Sequence, residues 1–242
     1  MDHLVEVTPP PAHDDARDPL FAPLRAPVPA GQSFVLGRVA QSLDGYIATR
    51  AGESVWISGP DDLRHTHRLR ASCDAVVVGA RTIRADNPRL TTRLVAGPNP
   101  VRVVLDPDHR LDDAYHVFRD GRETLLLCAP ERGGDARHGA ASVLPVARGP
   151  DGLDIAAILA LLRARGLRRI FVEGGGVTVA RFLAAGALDR LHVTVAPLMM
   201  GGGVPAFPLP PVAKLEEGRR FTWTAHRIGA DILLDIPLAR AG

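Results

Sequence analysis

The segment Ile170-Phe171-Val172-Glu173-Gly174-Gly175-Gly176 leads into a helical pattern from Val177 to Ala185 that ends at Gly186. It reads as a strand, a glycine turn and a helix. Glycines let the backbone approach a ligand closely, while the free N–H groups and positive end of the following helix favour an anion such as phosphate. The spacing matches neither G-x-G-x-x-G nor G-x-x-x-x-G-K-[ST], so neither the dinucleotide fingerprint nor the P-loop applies. A tight structural connection would explain the same glycines. Glu173 falls at the C-terminal end of the strand, where α/β folds place their ligand crevices, and the glycines beside it carry nothing to cover it. An exposed strand-end acid is the alternative.

A second stretch, Val78 to Arg93, gathers Arg81, Arg84, Arg89 and Arg93 with Thr82, Thr91, Thr92 and Asp86 on what reads as a strand-exit loop. Guanidinium forks bind phosphate oxygens bidentately, so the set suits sugar and phosphate recognition as well as it suits a solvated polar loop. A third stretch runs from Gly37 to Ala48 and on through Gly52 to Ser58, and its Asp44-Gly45 by itself says only that the chain turns. Cys73 and Cys128 lie far apart with no CxxC or Cys/His cluster near them, which predicts buried reduced thiols. His65 and His67, two residues apart on a helix, point to nearly opposite sides, so no metal site is expected.

These residues need a scaffold, and 242 residues of which 46% are apolar can fill a sizeable core. Strand-like and helix-like segments alternate from Phe34 to about Ala196, predicting an α/β sheet with helical crossovers. The segments Phe34–Ala40, Ala75–Val78, Val101–Leu105, Thr124–Cys128, Arg169–Val172 and Leu191–Ala196 read as short buried strands. Phe221–Arg227 and Asp231–Ile236, joined by Gly229-Ala230, read as a closing hairpin. One helix is expected from about Ile155 to Arg165, with Asp154 as N-cap and Gly166 as its left-handed end. Another is expected to follow Ser58-Gly59-Pro60-Asp61, with a capping hydroxyl, and to run to about Ser72. Residues 31–242 are expected to form a single domain. Residues 1–30, with seven prolines and no sustained periodicity, read as an irregular arm that the core can fold without.

The net charge is +2, and Lys214 is the single lysine, set in a proline-rich stretch that does not suit Schiff-base chemistry. The arginines are scattered without interleaved aromatics, which argues against nucleic-acid binding. No run approaches the roughly 18 to 20 apolar residues of a membrane helix, and no basic segment followed by an apolar run opens the chain. A cytoplasmic protein with no membrane partner is expected.

In order along the chain stand S-L-D-G at Ser42–Gly45, G-E-S-x-W-I at Gly52–Ile57, L-R-A at Leu69–Ala71 and V-G-A-x-T-I-x-A-D-N-P-x-L-T at Val78–Thr91. Arg93, V-R-V-V-L-D at Val101–Asp106, V-E-G-G-G at Val172–Gly176 and A-P-x-x-x-G-G at Ala196–Gly202 follow. Together they resemble the RibD C-terminal family, the reductase domain of bifunctional riboflavin-biosynthesis proteins, from about Phe34 to Val204 and more weakly to Ile236. The resemblance implies a dihydrofolate reductase-like α/β fold: a predominantly parallel central sheet flanked by helices, with a C-terminal antiparallel hairpin. It also implies NADPH as cofactor, contacted at Ala40, Trp56, Thr82 and Asp86 and along Gly175, Gly176, Val177, Thr178, Val179, Ala180 and Arg181.

Substrate contacts implied in the same way are Ser54, Arg70, Leu90, Arg93 and Glu173, with Glu173 as the catalytic residue holding pyrimidine N–H groups and Arg70 and Arg93 as candidates for the phosphate. The implied reaction turns the ribosyl group of a 5-amino-6-ribosylamino-pyrimidinedione 5′-phosphate into a ribityl chain, in a homodimer or larger assembly. Two departures stand out: no H-x-E is paired with P-C-x-x-C, so zinc deamination is not expected, and Arg38 stands where family members usually carry a lysine. The competing readings are an NADPH-dependent reductase of a pterin or dihydrofolate-like heterocycle and a catalytically idle nucleotide-binding module.

Overall fold

The computed structural model describes residues 18–54 and 57–239. Short, mostly buried runs rich in valine, leucine and isoleucine become the central strands of one ten-stranded sheet, whose edge strands are more exposed. They are β1 (Phe34–Ser42), β2 (Ala75–Gly79), β3 (Val101–Leu105), β4 (Thr124–Cys128), β5 (Arg137–His138), β6 (Ala141–Pro145), β7 (Arg169–Glu173), β8 (Arg190–Ala196), β9 (Thr224–Ile228) and β10 (Asp231–Pro237). Their spatial order is β9-β10-β8-β1-β7-β2-β3-β4-β6-β5. Every pair from β8 across to β6 is parallel. The hairpin β9–β10 closes one edge antiparallel and β5 closes the other. The expected architecture holds, with the hairpin's first strand starting three residues later than its sequence suggests.

Alternation along each strand sends side chains to two separate layers. Val35, Val39, Ala75, Val77, Ile170 and Val172 belong to one, completed by Ile158 and Leu162 of helix α3 (Ile155–Ala164) and by Val179 and Phe182 of α4 (Gly176–Ala184). Leu36, Val76, Val78 and Phe171 belong to the other, under α1 (Pro60–Ser72). Asp154 caps α3 as expected, accepting from Ala157 N at 2.8 Å. Ser58 does not cap α1: Gly59 is the N-cap residue, and the Ser58 hydroxyl donates to Asp62 instead.

Two further expectations fail. The stretch after Val78 is not a simple loop, because Ala80–Asp86 forms a helix, α2, closed by Asn87 in the left-handed region at φ 40°. The last third of the expected irregular arm is folded, with helical turns over Pro19–Phe21 and Ala22–Arg25 that bury Leu20, Phe21 and Leu24 in the second apolar layer. Arg68 lies over the Phe21 ring, and Arg169 donates to the Leu24 and Ala26 carbonyls, so this segment belongs to the core. Its three apolar residues fall within one helical turn, too short a run to show periodicity. Removing residues through 28 would therefore strip core side chains. Phe21→Ala should destabilise by about 3–5 kcal/mol in urea denaturation, whereas a loss under about 1 kcal/mol would mean that the turn only rests on the surface.

Candidate active site

β7 enters the sheet between β1 and β2 although it follows both in sequence, which makes its C-terminal end a switch point of the kind where open α/β sheets bind ligands. Glu173 ends that strand, and the glycine turn leaves it at φ 61° for Gly174 and 67° for Gly175, a region closed to most side chains. A Cβ on Gly175 would stand 2.7 Å from Thr82 Oγ1, and one on Gly79 would stand 2.5 Å from Thr178 Oγ1. The starts of α2 and α4 are thus packed against each other through glycines. Thr178 N and Val179 N bond to the Gly175 carbonyl at 2.9 and 3.3 Å. The amides of Gly175, Gly176 and Val177 meet no acceptor among the described residues, leaving a cradle of donors that fits a dinucleotide's phosphates.

Glu173 and Arg70 are brought together across 103 residues of sequence. Arg70, in the last turn of α1, donates Nε to Glu173 Oε2 at 2.7 Å and Nη2 to Oε1 at 2.5 Å, with both side chains largely buried. Its Nη1 reaches the Thr91 carbonyl at 2.9 Å. Burial pushes the Glu173 carboxyl up, but the charge and hydrogen bonds of Arg70, with help from Arg38, outweigh it and hold the carboxyl below its ordinary range. His67 accepts from Arg93 N at 3.0 Å through Nδ1, and burial beside Arg70 and Arg93 brings its pKa down to about 3. It is neutral near pH 7 and cannot serve there as a proton donor.

A second buried network, invisible to the motif reading, lies on the same face. Arg38 is the register partner of Glu173 on β1, yet its guanidinium pairs with Asp62 of α1. Thr194 Oγ1 donates to Asp62 at 2.7 Å, and Ser58 to its other oxygen at 2.5 Å. Next to it, His65 and His192 share a 3.1 Å hydrogen bond, and His192 Nε2 lies 3.3 Å from Asp235, which Arg190 grips with two bonds of 2.5 Å. The available signal was the composition of α1, whose inward positions are Asp62, His65, Thr66 and Arg70 rather than a leucine stripe.

The other expected site residues divide by location. Ser54 and Asp86 meet at 3.2 Å, joining an expected substrate contact to an expected cofactor contact. Ala40 lies on β1 opposite Thr194, and Thr82 faces the glycine turn. Leu90 is 1% exposed at φ 54°, a core residue held in an unusual backbone state. Val177 is exposed at the head of α4, whereas Thr178, Val179 and Ala180 are buried in it. Arg181 turns away to the Leu153 carbonyl at 2.8 Å. Arg93 is exposed, with His67 between its backbone and Arg70, whose guanidinium is engaged by Glu173 and the Thr91 carbonyl. Trp56 lies outside the described residues.

Known proteins are similar to this chain in sequence and in overall fold. The 2,5-diamino-6-ribosylamino-4(3H)-pyrimidinone 5′-phosphate reductase of Methanothermobacter thermautotrophicus is 38% identical over 176 residues, covering 70% of this chain and 80% of that protein. The riboflavin biosynthesis protein RibD of Bacillus amyloliquefaciens is 34% identical over 71% of this chain and 47% of its own. A Thermotoga maritima crystal structure described as a diaminohydroxyphosphoribosylaminopyrimidine deaminase/5-amino-6-(5-phosphoribosylamino)uracil reductase superposes with a TM-score of 0.73 at 27% identity, covering 86% of this chain and 57% of that one. The chain thus spans about half the length of these two larger proteins. A family model described as the RibD C-terminal domain matches residues 33–232, and the chain belongs to that family.

Proposed function

We propose that this chain is an NADPH-dependent reductase of riboflavin biosynthesis that converts the ribosylamino group of a phosphorylated pyrimidine to a ribitylamino group. The observation that carries the reading is the Arg70–Glu173 pair standing beside the open amides of the glycine turn, which sets a fixed anion against a cradle for another anion. The archaeal relative at 38% identity, named for this reduction, supports it. NADPH, when bound, supplies the hydride to the sugar carbon C1′ once the ribose ring has opened. The amides of Gly175 to Val177 hold the cofactor's phosphates, and Thr82, Ala40 and Asp86 line its path. Glu173 accepts pyrimidine N–H groups as a carboxylate, and Arg70, rather than meeting the substrate phosphate, fixes that carboxylate in place. Ser54 and Leu90 border the substrate.

The family brings with it the proposal of a cytoplasmic homodimer whose residues 31–242 act as one reductase domain, joined here by the folded turns before them. Among the described residues no helix is long and apolar enough to cross a membrane. Oxidation of NADPH by the purified protein with the pyrimidine, and not with dihydrofolate or a pterin, tests the substrate class. Cofactor binding without turnover on any of the three would favour an idle nucleotide-binding module.

Two variants test the roles. Glu173→Gln keeps the shape and some hydrogen bonding but removes the charged acceptor, so NADPH binding should persist while kcat/KM falls about ten- to a hundredfold. Activity within about threefold of wild type would remove Glu173 from the mechanism. Arg81 and Arg84 are exposed on α2, beside Thr82, and suit the 2′-phosphate that distinguishes NADPH from NADH. Replacing the correct one by alanine should lower kcat/KM with NADPH about ten- to a hundredfold and leave NADH nearly unchanged. Equal losses with both cofactors would assign these arginines to holding α2.

A further inference from the structure

Two motifs of the chain have no part in the site described so far, S-L-D-G at Ser42–Gly45 and A-P-x-x-x-G-G at Ala196–Gly202. The fold joins them. β1 ends at Ser42 and β8 at Ala196, register partners on neighbouring parallel strands, so both stretches leave the sheet together at the end that carries Glu173. Residues 197–206 then cross the turn after β1 as a strap. Leu43 N donates to the Leu198 carbonyl at 2.8 Å, and Ala206 N to the Gly45 carbonyl at 2.9 Å. Between these two bonds, Val204 and Pro205 pair antiparallel with Ala48 and Tyr46. Gly203 permits the pairing, since a Cβ there would stand 2.1 Å from the Ala48 carbonyl oxygen.

The middle of the strap is held by one carboxylate. Asp44 Oδ2 accepts from Gly201 N at 2.7 Å, both carboxylate oxygens lie 3.2 Å from Met200 N, and Oδ1 accepts from the Ser42 hydroxyl at 2.6 Å. The Ser42 oxygen in turn accepts from Tyr46 N at 3.0 Å. These three partners of Asp44 are all donors, which suits an ionised acceptor, and the Ser42 hydroxyl and the two amides hold the carboxyl below its ordinary range against burial. The far end of the strap reaches the candidate active site. A Cβ on Gly176 would stand 2.4 Å from the Ala206 carbonyl oxygen and 2.8 Å from that of Pro205, so the strap's backbone lies against the first residue of α4.

We infer that Asp44 is a positioning residue for the cofactor: through the strap it sets the place of Gly176, and with it the amides that the phosphates of NADPH meet. The contact is backbone against backbone where no side chain fits, so a shift of the strap passes to the cradle instead of being absorbed by a change of rotamer. Asp44 itself touches no ligand in this role. The role rests on the reading that the glycine turn binds a dinucleotide.

Calorimetry of NADPH binding to the whole chain tests it. Asp44→Ala should weaken binding about tenfold and raise the KM for NADPH by a similar factor, with the KM for the pyrimidine within about twofold of wild type. Asp44→Asn should recover most of the loss, because its amide oxygen can take the Met200 and Gly201 donors while its NH2 turns to the Ser42 oxygen. Gly176→Ala, whose Cβ displaces the Pro205 and Ala206 carbonyls, should weaken binding on its own, and adding Asp44→Ala to it should cost little more. Because the coupling is reciprocal, NADPH should slow amide exchange at Met200 and Gly201 in the wild type, a measurement that stands even if Asp44→Ala does not fold. The role is overturned by unchanged NADPH affinity in Asp44→Ala, by an Asn variant as impaired as the Ala variant, by losses that multiply in the double variant, or by exchange at Met200 and Gly201 that ignores NADPH. A wild type that binds no NADPH removes the cofactor reading itself and this role with it, whereas a wild type that binds it no better than Asp44→Ala removes this role alone.

Discussion

The bidentate pair between Arg70 and Glu173 is the constraint on which the rest of the site depends. Two buried charges tolerate removal from water only when their geometry is close to ideal, and removing one partner leaves an uncompensated charge that costs about 3–5 kcal/mol. The pair therefore fixes where the last turn of α1 sits against the end of β7. Because the same guanidinium also takes the Thr91 carbonyl, it fixes the loop beyond α2 as well. Glu173 stays ionised, and its neighbours inherit their positions from that fact. His67, excluded from carrying charge by burial and the two arginines near it, becomes an acceptor that holds Arg93 N and steadies the same loop.

The two layers of the fold divide the labour. Under α3 and α4 the sheet is apolar, and Val179, Phe182 and Leu162 fill it in the ordinary way. Under α1 it carries Arg38, Glu173, His192, Thr194 and Asp235, each matched by a polar group on the helix or a neighbouring strand. Networks of this kind rigidify only when nearly every member is satisfied. Arg38 shows the consequence for a family departure: it retains the positive charge of the usual lysine, but Asp62 already neutralises it, and its Nε is buried without a partner among the described residues.

What the sequence made legible was whatever local rules control. Runs such as Ala75–Val78 and Thr124–Cys128 had to be buried strands, and Asp154 and Gly166 had to bound a helix, because cap and turn preferences act over a few residues. The glycine turn was recognisable because only glycine reaches φ 61° and 67° freely. The motifs named the residues of the site but not their partners. Glu173 and Arg70 were both expected to face a ligand, and nothing local says that two residues 103 apart will satisfy each other. The helix Ala80–Asp86 was missed because arginines and an early Asn-Pro suggest a loop, while the left-handed cap at Asn87 ends a helix one residue before that proline. The folded turn at Leu20 to Leu24 was missed because tertiary contact, not periodicity, makes it helical.

With Lys214 as its single lysine, the chain assigns nearly all cationic work to arginine, and the partners of each arginine separate architecture from recognition. Arg102 reaches a threonine, a carboxylate and two carbonyls; Arg70 reaches a carboxylate and a carbonyl; Arg169 reaches two carbonyls of the N-terminal turn. Five donors in a rigid fork make such multiple engagement possible where an ammonium, with three donors on a flexible stem, would hold fewer acceptors less specifically. A guanidinium committed in this way has little left for a ligand. Arg81 and Arg84 on α2, and Arg89 and Arg93 on the loop that follows it, lack any such commitment to a carboxylate among the described residues. Arg81 and Arg84 flank Thr82 beside the glycine turn, and Arg89 and Arg93 flank the loop whose Thr91 carbonyl Arg70 holds. Unneutralised cations are costly to hold together unless an anion joins them, so an anionic ligand has most to gain from the arginines that the fold leaves without carboxylates.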